Sequence, residues 1–157
     1  MKIRNLFFLF LAVMLISGTS HANMKKGSIG NKGQKVYSFT NNLDGPCTAS
    51  LIYDSTTADL DTGFAVADTG DLLCFSFSSQ RNFDTCTTTL PPGDFQVIVS
   101  SYKGSSAYRV VVNCGGQENV NSAGQKVVGT ELREVEQNTN TQRLQDQIDR
   151  IQSAVKK

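Results

Sequence analysis

Between residues 35 and 114 apolar side chains recur at every second position, and that period admits few folds. Leu73, Phe75 and Phe77 alternate with Cys74, Ser76 and Ser78; Phe95, Val97 and Val99 with Gln96, Ile98 and Ser100; Tyr108, Val110 and Val112 with Arg109, Val111 and Asn113. Successive side chains of a strand point to opposite faces, so each run offers one face to a core. Val36-Tyr37-Ser38-Phe39, Ala49-Ser50-Leu51-Ile52-Tyr53 and Phe64-Ala65-Val66 are rich in β-formers. Turn-forming residues fill the intervals: Asp44-Gly45-Pro46, Thr69-Gly70-Asp71, Pro91-Pro92-Gly93-Asp94 and Lys103-Gly104-Ser105. About seven short strands separated by turns, with no helical period among them, predict an all-β domain, an antiparallel β-sandwich.

The N-terminus reads as an export signal. Lys2 and Arg4 precede an apolar run from Leu6 to Ile16, too short for the roughly 20 residues of a membrane span. Small residues follow at Ser20 and Ala22, the spacing a signal peptidase accepts. Residues 1–22 are therefore expected to be a cleaved signal peptide, with a secreted or periplasmic mature chain starting at Asn23 and carrying no membrane span. Lys+Arg 15 against Asp+Glu 14 leaves a net charge of only +1, too little to draw in nucleic acid. The one histidine, His21, leaves with the signal. A mature chain without histidine has no Ser-His-Asp or Cys-His mechanism and no His-containing metal site.

Cys47, Cys74, Cys86 and Cys114 all lie in the mature part. An even number in an exported chain reads as two disulfides, in one of three pairings. The strand map favours Cys74 with Cys86, across a hairpin turning at Ser79-Gln80-Arg81-Asn82, and Cys47 with Cys114, joining an early strand to the last one. No two cysteines are close enough for a zinc knuckle, which takes two to four intervening residues.

Five segments follow: signal 1–22, a polar N-terminal arm 23–31, the sandwich 32–114, a Gly/Asn/Gln-rich linker 115–129, and a tail 130–157 without Gly, Pro or aromatic residues. In the tail Leu144, Ile148, Ile151 and Val155 recur at alternating four- and three-residue spacing, an amphipathic, coiled-coil-like stripe. Val128, Leu132 and Val135 form a second stripe, out of register with the first. Thr139 and Gln142 give a capping-box pattern between them. A stripe barely two heptads long must dock on its own sandwich, pair with a copy of itself or bind a partner. The expectation is association, with itself or with a cell-envelope partner, through Leu144, Ile148, Ile151 and Val155.

Several stretches resemble the bacterial pre-peptidase C-terminal (PPC) domain. They are Leu90-Pro91-Pro92-Gly93-Asp94-Phe95, the strand Gln96-Val97-Ile98-Val99, the turn Tyr102-Lys103-Gly104, and Tyr108-Arg109-Val110-Val111-Val112. Val36-Tyr37-Ser38-Phe39 is similar to that family's opening strand, and Asp59-Leu60-Asp61 to its acidic strand. The resemblance implies a jelly-roll-like sandwich of the kind that trails secreted hydrolases, with calcium and matrix binding in some collagenases. Four cysteines, the amphipathic tail and the lack of a preceding catalytic domain depart from that setting.

Asp59, Asp61, Asp68 and Asp71 crowd one region and offer the hard oxygen ligands calcium takes, although their spacing matches no EF-hand or repeat loop. Asp59 and Asp61, at i and i+2, also share a strand face, as an acid–base pair would need. Tyr53, Tyr102 and Arg109, with Phe64, are of the types that anchor interfaces. Together these features predict a non-enzymatic binding and assembly module, its sandwich recognising a protein or glycan. The alternative is a calcium-stabilised accessory or chaperone-like module of a secreted hydrolase.

Overall fold

The computed structural model describes residues 23–77, 82–115 and 131–156. The expected signal peptide, most of the expected linker and most of the expected 79–82 turn lie outside them. Nine strands and one helix follow in order: β1 (Asn23–Ile29), β2 (Gln34–Asn41), β3 (Gly45–Tyr53), β4 (Asp59–Val66), β5 (Leu72–Phe75), β6 (Phe83–Leu90), β7 (Gly93–Lys103), β8 (Ser106–Cys114), β9 (Arg133–Glu134) and α1 (Thr139–Val155). The strands form two antiparallel sheets, ordered β1-β8-β3-β6 and β5-β4-β7-β2-β9. Except for β4 and β5, which pair within the five-stranded sheet, successive strands from β1 to β8 switch sheets, as in a jelly roll. The all-β sandwich read from the alternation is the fold observed.

Between the sheets lie Tyr37, Phe39, Leu51, Tyr53, Leu60, Phe64, Val97, Val99, Val110 and Val112, all buried. Residues of the resemblance motifs meet there. The Tyr37 and Tyr108 hydroxyls hydrogen-bond across the two sheets, and Phe39 packs on Phe95 with ring centroids 6.1 Å apart. Those motifs therefore encode inter-sheet packing. Gly104 of the Tyr-x-Gly turn has φ +77°, and a Cβ there would lie 3.0 Å from Ala58 Cα. Glycine suits both the left-handed backbone and the close approach.

Both disulfides pair as expected, though one does so in a different place. Cys47 and Cys114 face each other in the β3–β8 register, with Cα atoms 4.0 Å apart. Cys74 and Cys86, 6.3 Å apart, do not cross-link a hairpin, because β5 and β6 belong to different sheets. Their bridge ties the sandwich shut along one open side. Asp84 reinforces that side: its buried carboxylate accepts hydrogen bonds from Thr62 N at 3.0 Å and from the Ser76 hydroxyl. By loop-closure entropy the bridges contribute about 4 and about 3 kcal/mol, the longer loop giving the larger value.

The sandwich carries a third layer. Leu144 and Ile148 of α1 are fully buried on the outer face of the five-stranded sheet, against Val36, Ala65 and Ile98, with Leu72, Phe75 and Val135 at the margin. The two central strands of that sheet are buried on both faces, which explains apolar Ile98 and Ala65 in the phase expected to face water. At its edge, β5 crosses β4 so closely that a Cβ on Gly63 would lie 2.4 Å from the Cys74 carbonyl oxygen. Gly63→Ala is expected to push β5 away from β4. The cost should be about 1–3 kcal/mol, the range for overpacking, read as a lowered denaturant midpoint with unchanged slope.

Three sequence expectations are corrected here. The expected loose arm, 23–31, is mostly strand β1, paired with β8 from Asn23↔Val112 to Ile29↔Ser106. Of the stripe Val128, Leu132 and Val135, the first lies outside the described residues and the other two are extended: their side chains, three apart on a strand, take opposite faces. Leu132 enters the inter-sheet core and Val135 the layer beneath α1. The helix cap is Asn138, whose side chain accepts from Asn140 N and Thr141 N in a capping box with Thr141, one position before the Thr139–Gln142 pattern.

Candidate functional site

The four aspartates offered as calcium ligands form the rail on which α1 docks. Asp59 and Asp61 open β4, while Asp68 and Asp71 lie beyond its other end, so the four do not converge. The N-terminal half of α1 meets the far turn. Asn140 Nδ2 donates to Asp68 O at 2.8 Å, Arg143 pairs with Asp71 at 3.1 Å, and Gln147 Nε2 donates to Gly70 O at 3.3 Å. The C-terminal end meets the other pair. Lys156 Nζ lies 2.8 Å from Asp59 Oδ2 and 2.7 Å from Asp61 Oδ1, and Gln152 Nε2 lies 2.7 Å from Asp61 Oδ2. Asp61 is fully buried. Burial is the main reason its carboxyl is pushed up to about 6, against the downward pull of Lys156 and Gln152. Burial alone would lower the Lys156 ammonium, yet its hydrogen bonds and charge interactions with Asp59 and Asp61 raise it above the ordinary lysine value. The ammonium thus stands where a cation at Asp59 and Asp61 would sit. Among the described residues no group of three or more His, Cys, Asp or Glu side chains converges on a metal-sized space.

The expected association stripe is likewise consumed. Leu144 and Ile148 are buried against their own sheet, Ile151 is half-buried, and only Val155 is well exposed, at 55%. Leu144 and Ile148, two of the four stripe residues, thus dock within the chain. Two expected binding residues are core residues as well: Tyr53 and Phe64 are buried between the sheets. Tyr102 is half-buried under the end of α1, its hydroxyl donating to Lys156 O at 3.1 Å and its ring 4.0 Å from Lys32 Nζ. Arg109 alone of that set is freely exposed.

Arg109 belongs to a surface that sequence reasoning did not assemble. α1 covers one sheet, and nothing among the described residues covers the outer face of β1-β8-β3-β6. Alternation and register place fifteen side chains there. One row across the four strands reads Lys26, Arg109, Ile52 and Phe83. The next reads Met24, Val111, Ser50 and Thr85, and beyond it lie Asn113, Thr48 and Thr87. Met24, Ile52 and Phe83 are 50%, 40% and 40% exposed. The Thr48 and Thr87 hydroxyls bond each other at 2.9 Å, the start of a hydroxyl ladder. No outward strand position holds Asp or Glu; Asp54 stands just past the end of β3, at the rim beside Ala107. Lys26 and Arg109 face each other directly, a like-charge pair that costs sheet stability. Neither forms an ion pair among the described residues.

A cleft of about 450 Å³ beside the start of α1 has Gln34, Val36, Glu134, Val135, Glu136 and Thr141 among its lining residues. Lys35 pairs with Glu134 on its wall, and the Thr141 hydroxyl is engaged in the helix cap.

No family model matches this chain, and no curated protein does. Among solved structures, the chain is similar to the pre-peptidase C-terminal domain of a collagenase from Bacillus anthracis, with a TM-score of 0.50 at 19% identity over 59% of this chain and 89% of that one. The Yersinia pseudotuberculosis-derived mitogen scores 0.48 at 12% identity over 62% of this chain and 89% of that one. A periplasmic inhibitor of g-type lysozyme from Aeromonas hydrophila scores 0.45 at 11% identity over 61% of this chain and 88% of that one. The first of these shows the fold: the chain is a PPC-like β-sandwich. None of the described helices is long and apolar enough to cross a membrane.

Proposed function

We propose that this chain is an exported, non-catalytic binding module whose recognition surface is the open face of β1-β8-β3-β6. The carrying observation is asymmetry between the two outer faces. One is covered by the chain's own helix; the other keeps Met24, Ile52 and Phe83 exposed beside an unneutralised Lys26–Arg109 pair. Large exposed apolar residues clustered with arginine mark interaction surfaces. Two disulfides support an oxidising compartment and make the platform rigid. The α1 helix serves the fold, so recognition falls to the sandwich.

The test is affinity capture from the native secretion fluid or periplasm with the full chain, compared with two variants. Ile52→Asp/Phe83→Asp alters the open face, and Arg143→Glu alters the helix side. Loss of the captured partner with the first and retention with the second is expected. Retention with the first would refute the surface assignment.

A further inference from the structure

The open face carries information about its occupant. Its charges are of one sign, and they stand side by side on the edge strand and its neighbour: Lys26 on β1 opposite Arg109 on β8, continued by Ile52 and Phe83 in the same row. A directly opposed cation pair is unfavourable in an isolated sheet. An anionic group placed between the two side chains removes that repulsion, and arginine can hold a carboxylate through two parallel hydrogen bonds. The flanking Phe83, Ile52, Met24 and Val111 are apolar, and aromatic residues, Met and Arg are the types enriched in protein interfaces. The face has a single aromatic side chain and no carboxylate to accept from sugar hydroxyls.

Size narrows the choice further. With strands about 4.8 Å apart and about 3.3 Å per residue, the face spans roughly 400–500 Å² in projection. A stable folded partner covers about 800 Å² on each side. A second copy would also bring two more cations and no outward strand carboxylate to the interface, since a two-fold interface joins a patch to its own likeness. An extended segment fits on both counts.

We propose that the outer face of β1-β8-β3-β6 binds an acidic, apolar-flanked segment of a partner protein, its carboxylate held between Lys26 and Arg109. This rests on the open-face reading above. The salt dependence of an exposed charge contact follows.

The test pans a displayed library of random dodecapeptides on the full, disulfide-intact chain, with counter-panning on Lys26→Glu/Arg109→Glu. Both forms are first shown to melt alike. The expected consensus has Asp or Glu flanked by Leu, Ile, Phe or Met. A synthetic consensus peptide should bind the charge-reversed chain about 30-fold more weakly, the loss expected of an anchoring contact, and Arg143→Glu as tightly as the parent. Peptides without acidic enrichment, no selected peptide at all, or an affinity indifferent to charge reversal would overturn the proposal. So would dextran sulfate binding through the same two residues while no peptide does, which would assign the face to a polyanion. If neutral peptides are selected and then lost on Ile52→Asp, the open-face reading stands and only the acidic occupant fails. If no open-face substitution affects any selected peptide, both fail.

Discussion

Lys156→Met is expected to lower unfolding free energy at pH 8 by about 3–5 kcal/mol, the cost of removing one partner from a buried ion pair. The lysine is the only cation within hydrogen-bond reach of Asp59 and Asp61 among the described residues, and Asp61 has no exposure to water. The loss depends on pH in a definite direction. In the parent, burial holds the Asp61 carboxyl at about 6 in the folded chain, above the roughly 3.9 of an unfolded aspartate. Between those values the folded state binds the extra proton, so the Asp61 contribution to stability grows as pH falls from 6 towards 4. Removing Lys156 takes away an influence that holds the value down. Asp61 in the variant then takes its proton at still higher pH. The deficit should be full above that raised value and shrink as pH falls through it. Denaturant unfolding of parent and variant at pH 8 and pH 5 measures this, and Asp61→Asn should restore most of the loss in the Lys156→Met background. Equal deficits at both pH values would show that Asp61 is not the group left unpaired.

The second large effect concerns the helix seam. Leu144→Ala and Ile148→Ala each remove a fully buried side chain, at about 2–5 kcal/mol apiece. Together they are expected to undock α1 and leave the sandwich folded, because Val36, Ala65 and Ile98 lie in a cluster apart from the inter-sheet core. Amide exchange along Thr139–Val155 should become fast while β3, β7 and β8 stay protected, and the uncovered sheet face should bind a hydrophobic dye. Slow exchange in α1 of the double variant would mean that the Asp59–Asp61 and Asp71 contacts hold the helix without the apolar seam.

The sandwich was legible in the sequence because its core repeats at period two and its turns carry Gly, Pro and Asp. Strand β1 was not, since NMKKGSI pairs at a sheet edge, where Lys25 and Lys26 replace the apolar alternation. The tail's amphipathic stripe was legible, but not its occupant. The signal existed in the polar phase of the strands, where Val36, Ala65 and Ile98 are apolar although one-sided burial would make them polar. Asp59, Asp61, Asp68 and Asp71 were read as possible calcium ligands; Asp59 and Asp61 instead meet Lys156, and Asp71 meets Arg143, partners far along the chain that no local spacing reveals. The open face was invisible as a unit because its residues come from four strands in the order one, eight, three, six, so neighbours such as Lys26, Arg109, Ile52 and Phe83 are distant in sequence.

Site-specific photo-crosslinking in the native compartment tests the account most directly, with the reactive group at Thr87 on the open face and at Asp149 on the exposed side of α1. Capture of one protein from Thr87, weakened by Lys26→Glu/Arg109→Glu, and none from Asp149 is the predicted result. Capture from Asp149 with none from Thr87 would place recognition on the helix and contradict it.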